Sequence, residues 1–109
     1  MPTSPTIKHL MSSIQEFGPH VAPIIFFLLK RLFQTKWINE KESEELIEKM
    51  RDNPDEAAEM IENHNDSEEI EQNLERLCRE LDACNKEDVE NADKPEELAS
   101  EIPTLQDFV

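Results

Sequence analysis

Residues 21–29 read VAPIIFFLL, nine consecutive apolar positions in a chain of 109 residues with a formal net charge of −15. A helix that is apolar on all sides is unfavourable in water, so other helices, a partner or lipid must enclose it. As a helix this run extends only about 13 Å, whereas a bilayer span needs roughly 20 apolar residues. The run therefore predicts a buried helix at the centre of a small helical domain.

Helix-start signals recur after the apolar run. Asn39, Asn53 and Asp66 are each followed three positions later by a glutamate, which is the pattern of a capping box. The chain has a single glycine, Gly18, and no tyrosine, so it lacks the turn glycines and strand aromatics of all-β folds. The fold class predicted for residues 1–88 is all-α, a compact bundle of five to six short antiparallel helices.

The apolar spacing gives the predicted helix bounds. Helix one follows a cap at Ser4 and ends at Gly18, and helix two runs from about residue 19 or 22 to 35, with Pro23 tolerated only in its first turn. Helices three, four and five cover about 40–51, 54–64 and 67–84, and Ile70, Leu74, Leu77 and Leu81 form the buried seam of the last one. Residues 89–109 are predicted to be an acidic, largely flexible tail with a short helix at 95–100, because apolar residues become sparse there.

The two cysteines bear on the cellular compartment. Cys78 and Cys84 lie six positions apart on one predicted helix, so their side chains point about 120° apart and do not form a disulfide while the helix is intact. No cleavable leader is recognisable in the sequence. Together these features predict a cytoplasmic, reducing location.

Charge is distributed unevenly along the chain. Residues 1–37 hold four basic and one acidic residue, whereas residues 38–109 hold 25 acidic and seven basic residues. The two parts therefore carry charges of +3 and −18. Such acidity disfavours direct binding of nucleic acid, and it favours docking to a basic protein surface. Because the apolar run is too short to span a bilayer, a membrane is not expected as a partner either.

The sequence shows no pattern of an enzyme, a cofactor site or a metal site. His9, His20 and His64 stand alone, with no accompanying nucleophile or base motif. The two cysteines lack zinc-ligand spacing, and the acidic windows 52–63 and 63–74 lack the glycine and glutamate of a calcium loop. We therefore expect no catalytic residue, no cofactor and no bound metal ion.

Recognition residues are predicted on helix two. Successive helical positions differ by about 100°, so Phe26 and Phe27 cannot both face the core and one should seal an interface. The partner-binding residues predicted there, with acidic counterparts on helix three, are Phe26, Phe27, Lys30, Arg31, Lys36, Trp37, Glu44, Glu45 and Glu48. In the alternative interpretation the cations only complement the helix C-terminus, and Trp37 joins the core.

Three segments carry a resemblance to a known family. Residues 28–42 read LLKRLFQTKWINEKE, residues 55–61 read DEAAEMI and residues 69–77 read EIEQNLERL. In their order these segments resemble helices two to five of the caspase-recruitment domains of the death-fold superfamily. The resemblance implies a non-enzymatic adaptor that docks onto domains of its kind, a basic patch on one copy against an acidic patch on the next. The one-sided acidity of this chain favours a different partner over self-assembly.

Two other functions remain open. One is a generic helical interaction or dimer module, in which a second copy of the chain is a partner. The other is a small acidic inhibitor, such as a viral protein, whose carboxylates imitate nucleic-acid charge and block a host nucleic-acid-binding enzyme.

Overall fold

The computed structural model describes residues 4–109, and in this range it contains helices and no strand. The all-α class is confirmed. The elements are α1 (Ser4–Gln15), α2 (Gly18–Lys36), α3 (Glu40–Asp52), α4 (Pro54–Glu62), α5 (Ser67–Ala83), α6 (Lys86–Glu90), α7 (Pro95–Ala99) and a C-terminal 3₁₀ helix (Pro103–Phe108). The predicted cap at Ser4 concerns a side chain outside the described part of the chain.

Asparagine caps begin α3 and α4 as predicted. Asn39 Oδ1 accepts a 2.8 Å hydrogen bond from the Glu42 backbone N–H, and its Nδ2 donates one of 2.8 Å to the Glu42 carboxylate. Asn53 Oδ1 accepts a 3.3 Å hydrogen bond from the Glu56 N–H. These side chains satisfy backbone donors that have no partner within the helix.

The cap predicted at Asp66 is wrong. The Asp66 side chain makes no capping hydrogen bond, because its backbone lies at φ −100° and ψ 23° and not in the extended region that a cap requires. Instead, Nδ1 of His64 accepts a 3.0 Å hydrogen bond from the Asp66 N–H. The turn between α4 and α5 is therefore held by a histidine.

Helix α2 begins earlier than its proline pattern indicates. Gly18 starts it at a positive φ of 82°, a conformation that glycine adopts without a steric penalty. Pro23 lies inside the helix, in its second turn and not in the first. Because proline has no N–H, the carbonyl of Pro19 loses its helical donor, but Pro19 is exposed and water can supply one.

The core forms around α2, which contacts α1, α3, α6, α7 and the 3₁₀ helix. The α5 seam is confirmed, since Leu74 and Leu77 are fully buried and Ile70 and Leu81 are nearly so. This seam packs against α1, whose Ile7, Leu10 and Ile14 are also fully buried. Apolar stripes on neighbouring helices thus enclose most of the apolar run at 21–29, whereas Pro23 and Phe27 stay exposed.

The prediction of a flexible C-terminal tail is wrong. Asn85 begins α6 by accepting hydrogen bonds of 3.0 and 3.2 Å from the backbone of Glu87 and Asp88. The segment then packs onto α2 and α5, and its short helix, predicted at 95–100, is confirmed as α7. The buried apolar side chains of this segment are Val89, Ala92, Leu98, Ala99, Ile102, Leu105 and Phe108. They are too sparse for a core of their own, but they complete the one that α2 and α5 begin.

No helix between residues 4 and 109 combines the length and the hydrophobicity that a membrane crossing needs.

Candidate interaction surface

One exposed side of α2 differs from the rest of the protein surface. It carries Pro23, Phe27, Lys30, Arg31 and Gln34, which recur at intervals of three and four positions and so share one helical face. We call these five residues the α2 face. The sequence of α2 contains no Asp or Glu, although the whole chain has 26 of them. The helix therefore adds no carboxylate of its own to the α2 face, and Glu44 of α3 pairs with Lys30 at its border.

Phe27 lies at the centre of this face and is 47% exposed. Between residues 4 and 109, Phe27 and Val109 are the large apolar side chains with high exposure. Phe26 is 7% exposed, and its ring lies beneath the Arg51 guanidinium at 5.0 Å. The prediction that one of the two phenylalanines reaches the surface is confirmed, and the exposed one is Phe27.

Arg31 connects Phe27 to the C-terminal segment. Its guanidinium carbon lies 5.7 Å from the centre of the Phe27 ring, a distance typical of a cation–π contact. Its Nε donates a 2.6 Å hydrogen bond to the backbone carbonyl of Phe108, next to the exposed Val109. These two contacts hold the Arg31 side chain along the surface of the protein.

The predicted basic and acidic patches are neighbours within the chain. Lys30 Nζ lies 3.2 Å from Glu44 Oε1, which joins α2 to α3 in an ion pair. Both residues border a shallow depression of about 320 Å³. Its lining residues are Lys30, Glu44, Ile47, Glu48, Arg51 and Asp52. Glu45 is exposed but does not line this depression.

Arg51 was missed in the sequence, although it stacks on Phe26 and lines the same depression. The spacing of residues on α3 does contain a signal for Arg51. Residues 44, 48 and 51 follow one another at four and three positions on α3, so they face the same neighbour. The Lys30–Glu44 pair identifies that neighbour as α2.

Lys36 and Trp37 lie at the end of α2, away from the α2 face. Trp37 is half-buried, its ring centre is 5.9 Å from that of Phe33, and its Nε1 donates a 3.2 Å hydrogen bond to Glu69. The Lys36 ammonium lies 5.7 Å from the centre of the Trp37 ring. Trp37 therefore connects α2 to α5, which agrees with the structural interpretation of this residue.

The histidines are not isolated, contrary to the prediction. His9 Nε2 lies 2.9 Å from Asp82 Oδ2, and Ser13 donates a 3.1 Å hydrogen bond to the other oxygen of the same carboxylate. The hydrogen bond with His9 is the largest cause that lowers the pKa of Asp82 below its ordinary value. His20 lies 3.2 Å from Asp93 in the same manner. Ser13 and His9 both bind Asp82, so the serine hydroxyl is bound to the carboxylate and not to the imidazole.

The cysteines are both free thiols. Burial raises the pKa of Cys78 to about 11, and the nearby carboxylates of Asp82 and Glu75 act in the same direction. Burial also raises the pKa of Cys84. Among the described residues no three His, Cys, Asp or Glu side chains come together as metal ligands.

Comparison of the chain with protein-family models, with curated proteins and with solved structures found no match.

Proposed function

We propose that this protein is a non-enzymatic interaction module that docks onto another protein through the α2 face. The observation that carries the proposal is the exposure of Phe27 on a helix without Asp or Glu, in a chain of charge −15. A highly charged protein has ample polar side chains to cover its surface, so an exposed aromatic ring flanked by cations indicates a binding site. Aromatic residues and arginine are also the side chains that most often dominate the binding energy of interfaces.

Within this class we propose an adaptor similar to the caspase-recruitment domains, with homotypic or heterotypic docking. The order of α1 to α5 along the chain supports this proposal. The chain departs from a six-helix bundle after α5, where α6, α7 and the 3₁₀ helix follow as three short elements. In this proposal the protein acts as an adaptor or a regulator, and its partner is another protein domain.

A second candidate is an acidic inhibitor that imitates nucleic-acid charge. It is favoured by the many exposed carboxylates along α3, α4 and α5. Three of these carboxylates form ion pairs with lysines of the same chain, namely those of Glu44, Asp55 and Glu56. Such an inhibitor would bind its target through these helices and not through the α2 face. Salt and duplex DNA would both displace it from a basic target.

One cross-linking experiment separates the two functions. A photoreactive phenylalanine analogue replaces Phe27 on α2 in one variant and the exposed Glu59 on α4 in another, and each is irradiated in the cells that make the protein. The interaction module predicts cross-linked products at position 27 that are lost when Arg31→Glu is added. The acidic inhibitor predicts products at position 59 that added duplex DNA suppresses in a cell extract. Indistinguishable products from the two positions would contradict the proposed docking site.

A further inference from the structure

We infer that the partner of the α2 face is α2 of a second copy of this chain, in an antiparallel pair centred on Phe27. This inference rests on the proposed function and specifies its partner. It is carried by the charge distribution, by the contacts that the basic side chains already make, and by the position of Phe27 between Pro23 and Arg31.

The charge distribution selects the side by which two copies can meet. Each copy carries a charge of −15, so most mutual orientations bring carboxylates together. Helices α1 and α2 have no Asp or Glu of their own, and of these two helices α2 exposes a large apolar side chain, Phe27, within the described residues. A contact between two α2 faces therefore combines little repulsion between carboxylates with burial of the Phe27 rings.

The basic side chains of this face are already engaged within the chain. Lys30 is paired with Glu44, and Arg31 is bound to the Phe108 carbonyl and to the Phe27 ring. An acidic partner would have to compete with these contacts. The Phe27 ring, by contrast, has no apolar cover on its outer side, because it is 47% exposed. Its burial requires an apolar surface. Val109, the second large apolar side chain exposed between residues 4 and 109, adjoins the Phe108 carbonyl that Arg31 binds.

The antiparallel direction follows from the spacing on the helix. Pro23 and Arg31 lie one turn before and after Phe27, at about 6 Å along the axis. In an antiparallel pair Arg31 of each copy faces Pro23 of the other, and the two Arg31 positions are separated by about 12 Å along the axis, beyond the Debye length of about 8 Å at physiological salt. A parallel pair would place the two arginines against each other. The antiparallel pair is also closed, so association stops at the dimer.

The size of the contact predicts a weak dimer. A single pair of helices buries less surface than the roughly 1,200–2,000 Å² of stable interfaces, so dissociation should be readily observed by dilution. Because the contact is apolar and the net charges repel, the dimer should strengthen as salt screens that repulsion. A contact between the cations of this face and an acidic partner surface would instead weaken as the salt concentration rises.

Sedimentation equilibrium of the full chain over a range of concentrations tests this inference. At about 0.3 M salt, where the Debye length is a few ångströms, we expect a monomer–dimer equilibrium at least about threefold tighter than at 0.02 M. Phe27→Ser should weaken it by about tenfold or more. Gln72→Ser, a polar change at an exposed position of α5, is the matched control and should leave it unchanged. Circular dichroism establishes that both variants are folded.

Three results would overturn the inference: a monomer at every concentration and both salts, association that weakens with salt, or an open series of larger oligomers. A monomeric chain that still gives products of position 27 with other proteins in cells would refute the second copy and leave the proposed function standing. If neither a dimer nor cross-linked products of position 27 are found, both the second copy as partner and the proposed docking function are refuted. A spin label at Gln34→Cys, in a chain with Cys78→Ala and Cys84→Ser, reports the direction of the pair. The antiparallel arrangement separates the two backbone positions by about 20–25 Å, whereas a parallel one brings them to about 10 Å.

Discussion

Arg31 and Phe108 are joined across 77 positions of sequence by a hydrogen bond of 2.6 Å between a guanidinium Nε and a backbone carbonyl. This bond attaches the C-terminal 3₁₀ helix to the middle of α2. Together with the hydrogen bonds that Thr104 donates to the Glu80 carboxylate at 2.7 and 2.8 Å, it holds the last segment against both central helices. The C-terminal segment therefore supports the side chain that shapes the α2 face.

Replacing Arg31 with alanine should loosen the 3₁₀ helix. A hydrogen bond from a charged donor contributes about 1.5–3 kcal/mol to stability. Because this hydrogen bond is partly exposed, we expect the loss of stability to lie near the lower of these two values. Amide hydrogen exchange of residues 104–108 should then become about tenfold faster. Lys36→Ala removes a cation from the same helix without this bond and is the control. Equal protection in both variants would show that the bond does not hold the segment.

Leu105→Ala should destabilise the whole domain. Leu105 is fully buried, and removal of a buried leucine side chain typically costs about 2–5 kcal/mol. Its neighbour Gln106 is exposed, and Gln106→Ala should change the free energy of unfolding by less than about 0.5 kcal/mol. Urea unfolding of the two variants measures the difference. If both are neutral, the C-terminal segment is not part of the core.

Local signals in the sequence sufficed for most features that are themselves local, although the cap predicted at Asp66 failed. The caps at Asn39 and Asn53 depend on groups three positions away, and the α5 seam depends on helical periodicity, so both could be read directly. The C-terminal segment could not, because Leu105 and Phe108 are buried by α2 and α5, which are distant in sequence. The candidate site could likewise be predicted only in its local part. The sequence showed that Phe26 and Phe27 diverge, but the pairing of Lys30 with Glu44 requires the packing of α2 on α3.

The two adjacent phenylalanines should respond differently to the same change. Phe26→Ser truncates a side chain that is 7% exposed, with an expected loss of roughly 3–5 kcal/mol. Phe27→Ser removes a ring that is 47% exposed and should cost less than about 1 kcal/mol in the monomer. Thermal unfolding at low protein concentration compares them. Equal losses would mean that both rings are core, and the docking site centred on Phe27 would then be wrong.

Cys78 should react slowly with thiol reagents. With its pKa at about 11, only about one molecule in a thousand carries the reactive thiolate at pH 8, and the side chain is 7% exposed. Cys84 is half-buried and should react faster, although its pKa is also raised. Maleimide labelling of Cys78→Ala and Cys84→Ser variants assigns each rate. Rapid labelling of Cys78 in the folded chain would contradict its burial against α1.

Asp82 should contribute to the pH dependence of stability. Its carboxylate is stabilised by His9 and Ser13, so its pKa lies below the ordinary value of 3.8, and the ionised form favours the folded state. That contribution is fully present above the ordinary pKa and is lost as the pH falls through the lower folded-state pKa. Because the carboxylate is 49% exposed, its size should not exceed about 1 kcal/mol. Urea unfolding of Asp82→Asn should show lower stability than the parent at pH 6 and a difference that shrinks toward pH 2, whereas Asp107→Asn, at an exposed position, should follow the parent throughout. A difference for Asp82→Asn that is the same at both pH values would show that the carboxylate charge has no part in it.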